Sequence, residues 1–435
     1  MENLYSIFQK HPFVFTDSRQ VIKGGIYFAL KGANFDGNQF AVQAIEQGAA
    51  FAIVDDFTLS DQPQIIKVQN VLSTLLQLAN YHRRQLNTPI IGITGTNGKT
   101  TSKELLSSVL KVKYNILATE GNLNNHIGVP LTLLKLKTSH QYAIIEMGAN
   151  HVGEIAELCA IVEPNFGYIT NVGMAHLEGF ENEQNVLLTK KALYESVFSR
   201  SGINFLFEQN ENLANQFPNH QFVTFSNTNP SVDTFANGSL ESIFVGIEVN
   251  KLIGKTIESV KIQTQLIGLY NVPNILSALT IGAYLGLHID EIKKGLEQYV
   301  PANNRSQIHQ TSRNKLILDA YNANPSSMGA AIDNFEKILS PHKMIILGDM
   351  FELGAFENEK HIQLVEKLQN FENIKIILVG PAFDKAVQEV KPINIENYPT
   401  VDLLIESGQL AKIEQHLILV KGSRGMKMER LVELL

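Results

Sequence analysis

Apolar positions in this chain fall into short runs separated by longer amphipathic stretches, the pattern of strands alternating with helices. In the first 88 residues, 25–30 reads as a strand, 39–47 as a helix, 51–54 as a second strand and 71–86 as a helix leading to Pro89. A buried strand over 90–94 follows, then a loop, then a helix from about Lys99 to Leu110. Residues 142–146 and 167–171 read as further strands. Residues 242–267 differ: Ile243, Val245, Ile247 and Val249 recur at every second position, and Ile257, Val260 and Ile262 do so less strictly, which predicts antiparallel strands. Helices over 272–285 and 290–299 come next. From 303 onward, strands at 316–319, 344–347, 374–379 and 417–420 alternate with helices, the order of a small doubly wound domain. No solenoid-period repeat and no low-complexity tract is found. The prediction is α/β, mostly parallel, in three domains over 1–88, 89–302 and 303–435.

Composition narrows the class. A chain of 435 residues suits two or three domains, and 44% hydrophobic with 18% charged residues provides ample core. A net charge of -7 argues against nucleic acid as partner, because phosphate-backbone binders carry a basic face. It leaves room for an anionic small substrate at a local basic site. One cysteine, Cys159, makes no intrachain disulfide and no cysteine-based zinc site, which fits a reducing cytoplasm. Its neighbours Ile155, Leu158 and Val162 on a helix give it a core role. Residues 1–15 lack a basic stretch followed by an apolar run, and no apolar run reaches the roughly 18 residues of a membrane span. An intracellular, soluble chain without membrane insertion is expected.

Candidate chemistry begins after the strand at 90–94. The run I-I-G-I-T-G-T-N-G-K-T-T passes from that strand through a glycine loop into a helix. Gly95 and Gly98 let backbone N–H groups of the loop, which includes Thr96 and Asn97, turn inward around phosphate oxygens, and the helix start adds its positive end. Lys99 supplies a charge to the terminal phosphates, and the Thr100 hydroxyl suits Mg²⁺, with Thr101 beside it. The common G-x-x-x-x-G-K-[ST] spacing wants glycine where Ile93 stands, so the loop is a shortened form.

Neighbouring strands end in polar groups. Glu146 closes the strand at 142–146 and is positioned as a metal ligand or a solvated strand end. His176 follows the strand at 167–171, and reads as a ligand or as a structural histidine. Lys190 and Lys191 lie on a later helix, where a lysine pair ordinarily faces solvent. Asn271 and Asn274 begin a helix and suit either capping or an adenine edge. Tyr321, Asn322 and Asn324 follow the strand ending at Asp319, where a doubly wound domain forms its cleft.

These motifs together resemble the Mur ligase family, cytoplasmic ligases that build the peptidoglycan stem peptide, over nearly the whole chain. The matching pieces are T-D-S-R from Thr16, G-G-I-Y-F-A-L-K-G from Gly24, D-G-N from Asp36, G-I-T-G-T-N-G-K-T-T from Gly92 and G-N-L-N-N-H-I-G-V-P-L-T from Gly121. E-M-G-A-N from Glu146, N-V-G-M-A-H-L-E-G-F from Asn171 and G-L-Y-N-V-P-N from Gly268 follow. The last domain shows N-N-R-S-Q from Asn303, L-D-A-Y-N-A-N-P-S-S-M from Leu318, L-G-D-M-F-E-L-G from Leu347 and V-K-G-S-R-G-M from Val420. The short G-T-N-G-K-T-T loop is the family's own form. The D-N-P-R run of the branch that adds diaminopimelate is absent, which fits the branch that joins D-alanyl-D-alanine to UDP-N-acetylmuramoyl-tripeptide.

The resemblance implies a UDP-substrate-binding first domain, a central ATP-binding domain with the phosphate loop and a Rossmann-like third domain. It implies that Ser18, Arg19, Asp36 and Asn38 meet the UDP end of the substrate. Asn124, Asn125, Tyr321, Asn322, Asn324, Ser327 and Asp349 would meet its remaining parts and the dipeptide. Thr100, Glu146 and His176 would serve Mg²⁺, with a carbamylated lysine fourteen residues after His176, at Lys190. Carbamylation needs a neutral amine, hence a lowered lysine pKa. Asn271, Asn274, Arg305 and Asp319 would complete the ATP site, and Lys99, His176, Lys190 and Arg305 would carry catalysis. ATP, Mg²⁺, the tripeptide substrate and D-alanyl-D-alanine are the expected partners of a monomer. Another amino-acid-adding or folate ligase of the superfamily, or a regulatory NTPase, stands as the alternative.

Overall fold

The computed structural model describes residues 1–241, 243–302 and 304–435. Ser242 and Asn303, which open the predicted antiparallel stretch and the predicted third domain, lie outside the described residues.

Three larger sheets organise the chain. The first is parallel, in the order Val14–Phe15, Ile26–Phe28, Phe51–Val54, Ile65–Lys67. Its strands are apolar on consecutive residues because both faces are covered. Ile26 and Phe28 meet the helix Val71–Gln85 on one side, while Tyr27 meets Ala41 and Ala44 of the helix Ala41–Glu46 on the other. The helix Val71–Gln85 also packs on Gly128–Leu133 and Glu154–Val162, so the first and central sheets share one core.

The central sheet runs Lys255–Ile267, Phe244–Leu252, Thr234–Glu241, Val223–Ser226, Ile203–Phe207, Phe166–Ile169, Ile90–Thr94, Tyr142–Glu146, Ile116–Ala118. The first three strands are antiparallel to one another and the others pair in parallel. Register decides where chemistry emerges. Ile93 stands opposite Glu146 and Thr94 opposite Ile169, so three strand ends open at one edge. The helix Lys99–Leu110 is buried beneath Val272–Tyr284 and Ile289–Gln298, which fixes its N-terminus at that edge.

The third sheet runs Gln307–Gln310, Lys315–Asp319, Leu417–Lys421, Lys343–Gly348, Ile374–Val379, Ile395–Tyr398, with only the first strand antiparallel. The last strand in sequence inserts between Lys315–Asp319 and Lys343–Gly348. This reversal of strand order opens a crevice at the carboxyl ends, where Asp319 and Lys421 are register partners. The α/β expectation therefore holds. Individual spans shift: the strand predicted over 25–30 is Ile26–Phe28, and the helix predicted over 39–47 is a 3-10 turn, Gly37–Phe40, running into Ala41–Glu46. No helix among the described residues is long and apolar enough to cross a membrane.

One buried hydroxyl ties the central layers together. Tyr194, on the helix Glu183–Ser199, donates to the Phe205 carbonyl at 2.5 Å and accepts from the Ile169 amide at 3.2 Å. Tyr194→Phe strands both backbone groups, an expected loss of about 1–3 kcal/mol. Equilibrium denaturation should show a lowered midpoint; an unchanged one would contradict this packing.

Candidate functional site

The glycine loop is shaped by what surrounds it. Gly95 has φ +144, and a Cβ there would sit 1.9 Å from Thr170 Oγ1; Gly98 has φ +78, and its Cβ would meet Asn274 Oδ1 at 2.6 Å. Side chains larger than hydrogen are excluded at both turns. Asn171 holds the loop: its carbonyl accepts from the Thr96 amide at 3.0 Å and its Oδ1 from the Asn97 amide at 3.0 Å. No side chain caps the helix Lys99–Leu110, so its first amides are left for an anion. Lys99 Nζ donates to the carbonyls of Gly95 at 2.7 Å and Thr96 at 3.0 Å. Burial brings this ammonium down to about 8, against the pull of Glu146 and with the push of Arg305.

Glu146 is 1% exposed, and its two oxygens differ. Oε1 accepts from Thr100 Oγ1 at 3.1 Å and Asn124 Nδ2 at 2.8 Å, while Oε2 has no hydrogen-bond partner. Lys103 Nζ approaches Oε2 no closer than 3.8 Å. A buried, half-satisfied carboxylate beside a threonine hydroxyl suits a hard cation that takes its other ligands from phosphates and water. His176 does not join it. Its Nδ1 lies 2.5 Å from Oε2 of Glu352, and the imidazole holds that carboxyl below its ordinary value. Among the described residues no three His, Cys, Asp or Glu side chains gather to hold a metal ion.

Lys190 is 2% exposed, which overrides the solvated-face reading; its neighbour Lys191 does reach the surface, pairing with Glu195 at 2.9 Å. Burial pushes the Lys190 ammonium well below its usual value, Lys99 adds to this and Glu154 opposes it. Its Nζ stands 5.7 Å from the centre of the Phe180 ring.

The third sheet supplies the facing wall. Asn97 Nδ2 donates to Ser326 Oγ at 2.9 Å, and Asn324 Nδ2 donates to Asn97 Oδ1 at 2.8 Å. Asn324 and Ser327 also form the capping box of the helix Pro325–Lys337. Asp319 accepts from Lys421 Nζ at 2.6 Å and from the Ser306 amide at 3.1 Å. The Arg305 guanidinium lies 3.6 Å from the centre of the Tyr321 ring. Asn271 and Asn274 are buried and bonded to each other at 2.8 Å, and Ser102 donates to Asn274 at 3.0 Å.

A cleft of about 990 Å³ gathers most of the expected residues: Thr96 to Thr101, Asn124, Asn125, Glu146, His176, Asn271, Asn274, Arg305, Asp319, Tyr321, Asn322, Asn324 and Ser327. Gly95 underlies the loop. Others stand apart. Arg19 is exposed and paired with Asp17 at 2.8 Å, with Ser18 partly buried beside it. Asn38 is buried between Asp36 and Asp55, to which its Nδ2 donates at 2.7 and 2.9 Å. Asp349 is buried away from the cleft lining, its carboxylate accepting the amides of Ala382 and Phe383 at 2.9 Å each. Sequence reasoning missed Lys103, Asn171, Ser326 and Lys421. Lys103 was detectable as a lysine one helical turn after Lys99, and Lys421 as the charge ending an apolar strand.

The chain matches models of the Mur ligase family, catalytic domain, over residues 11–91, of the Mur ligase middle domain over 93–282 and of the Mur ligase, glutamate ligase domain, over 304–424. It is similar to the UDP-N-acetylmuramoyl-tripeptide--D-alanyl-D-alanine ligase of Bacillus subtilis, 31% identical across 97% of this chain and 92% of the relative. The same ligase of Escherichia coli is 33% identical, across 97% and 93%. Among solved structures, MurF from Acinetobacter baumannii superposes with a TM-score of 0.87 at 30% identity, covering 99% of this chain and 97% of that one. MurF ligase from Thermotoga maritima in complex with ADP gives 0.86 over 100% and 98%; at 24% identity it bears on the fold alone.

The lowered Lys99 pKa makes nucleotide binding proton-linked. Phosphate restores the ammonium, so the bound state holds more protons than the free state near pH 8. Affinity should fall as pH rises through 8, with net proton uptake on binding. Calorimetry in buffers of different ionisation heats measures this; zero uptake at pH 8 would contradict it.

Proposed function

The chain belongs to the Mur ligase family, and from that premise we propose that it joins D-alanyl-D-alanine to UDP-N-acetylmuramoyl-tripeptide while ATP becomes ADP and phosphate. The product is the UDP-N-acetylmuramoyl-pentapeptide used in peptidoglycan synthesis. The observation that carries this is similarity to ligases of that activity along essentially the full length of both chains.

The tripeptide's terminal carboxylate attacks the γ-phosphorus of ATP, releasing ADP and forming an acyl phosphate. The dipeptide amine then attacks the acyl carbon and phosphate leaves. Lys99 and the uncapped amides at the start of the helix Lys99–Leu110 neutralise charge on the transferring group, since the Thr96 and Asn97 amides are taken by Asn171. Asn271 and Asn274 serve the adenine side, while Arg305 and Asp319 bring the third unit to the nucleotide. Glu146 Oε2 and the Thr100 hydroxyl would hold Mg²⁺, a reading supported by that oxygen's lack of a partner. Such an ion lowers the charge repulsion met by an attacking carboxylate. His176 lines the same cleft and would add a ring nitrogen to that set once freed of the Glu352 carboxylate. The reading gives Lys190 a carbamate, formed when its neutral amine adds carbon dioxide and loses a proton; its burial and lowered pKa support this. Residues 1–88 hold the UDP end through Ser18, Arg19, Asp36 and Asn38; residues 89–302 bind ATP; residues 303–435 close the site. Asn124, Asn125, Tyr321, Asn322, Asn324 and Ser327 line the path of the peptide, and Asp349 supports that wall from behind. The reading includes a cytoplasmic monomer.

ADP release measured with each substrate omitted in turn tests the activity. Release should require both the UDP-linked tripeptide and D-alanyl-D-alanine; full release without either one would overturn the reading. Lys190→Ala should lower turnover by about a hundredfold or more, as loss of a preorganised charge does. Parental turnover in that variant would remove Lys190 from the mechanism.

A further inference from the structure

Beside the main cleft lies a second cavity of about 300 Å³, which shares Thr100, Asn122, Arg305 and Tyr321 with it. Glu104 belongs to the wall from the central unit, and Arg424 and Glu429 to the wall from the third; these three line the smaller cavity alone. It therefore reaches the phosphate loop at Thr100 while carrying charges of both signs. A zwitterion that must bring its amine to the acyl carbon of the acyl phosphate, beside that loop, matches such a cavity. An extended dipeptide spans about 7 Å, which separates its amine from its carboxylate.

Two guanidiniums are available for that carboxylate, and they are not equivalent. Arg305 is stacked closely on Tyr321 and faces the nucleotide side as well. Arg424 lies farther from the same ring, at 5.1 Å, and its guanidinium makes no hydrogen bond or ion pair among the described residues. Its backbone is nonetheless fixed. The adjacent Ser423 is 2% exposed; its amide donates to the Asp349 carbonyl at 3.2 Å, and its Oγ accepts from the Phe351 amide at 2.9 Å. The result is a free charged fork on a rigid turn.

Resting on the ligase reading above, we propose that Arg424 receives the C-terminal carboxylate of the incoming D-alanyl-D-alanine and so selects an acceptor that carries a free carboxylate. A guanidinium offers two parallel N–H donors to a carboxylate, which orients as well as binds.

The test is steady-state kinetics on the full-length chain with D-alanyl-D-alanine and with its C-terminal amide, D-alanyl-D-alaninamide. The parent should prefer the free acid. Arg424→Ala should raise KM for D-alanyl-D-alanine about 10- to 100-fold, the size of a lost charged hydrogen bond, and erase the preference over the amide. KM for ATP and for the UDP-linked tripeptide should not move, and Arg424→Lys should recover part of the loss. A parent that uses acid and amide equally well overturns the proposal without any variant. So does an Arg424→Ala variant that keeps the preference, or one whose defect lies in KM for ATP. A parent with no requirement for the dipeptide overturns the ligase reading itself, a distinct result.

Discussion

The site depends on one buried carboxylate left half satisfied. Glu146 ends an interior strand with Thr100 and Asn124 on one oxygen and no hydrogen bond on the other. An ionised group in that position is costly unless a positive partner completes it. Lys103, at 3.8 Å and itself 3% exposed, offsets the charge without occupying the oxygen. Much of the central unit serves to keep this arrangement. Strand register levels Glu146 with the glycine loop, the overlying helices fix the start of Lys99–Leu110, and the Thr119 hydroxyl accepts from the Glu146 amide at 3.0 Å.

The same edge is where the units meet. Asn97 bonds to Ser326 and Asn324, and His176 stands against Glu352, so the loop and the segment after its neighbouring strand are both held by the third unit. In this arrangement the third unit touches the phosphate loop directly. Chemistry through an acyl phosphate requires that water be kept out until the amine arrives, and contacts of this kind suit a wall that closes on the nucleotide.

Much of this was legible in the sequence, for identifiable reasons. The strand, loop and helix at 90–110 are local, and apolar runs fully buried between helices announce themselves without reference to the rest of the chain. Ile203–Phe207 and Val223–Ser226 were missed although Ser201-Gly202 precedes the first and Asn229-Pro230 follows the second, because polar residues interrupt their apolar runs, and Gln307–Gln310 because an edge strand faces solvent. At the site, residue types were readable but partnerships were not. Asn97 and Asn324 are 227 positions apart, and nothing local distinguishes an asparagine that caps a helix from one that also joins two units. Lys190 shows the limit most clearly. Its helix has a lysine pair, and only tertiary packing decides that one lysine is buried while the other meets solvent.

The proposed cation role of Glu146 is tested most directly by comparing the parent with Glu146→Gln in calorimetric titrations of ADP, with and without Mg²⁺. The amide keeps the side chain's size and its contact with Thr100 but removes the charge. The parent's affinity should rise on adding Mg²⁺, and the variant should lose most of that rise while binding metal-free ADP as the parent does. A variant that keeps the parent's full dependence on Mg²⁺ would contradict the assignment of Glu146 as the group that holds the ion.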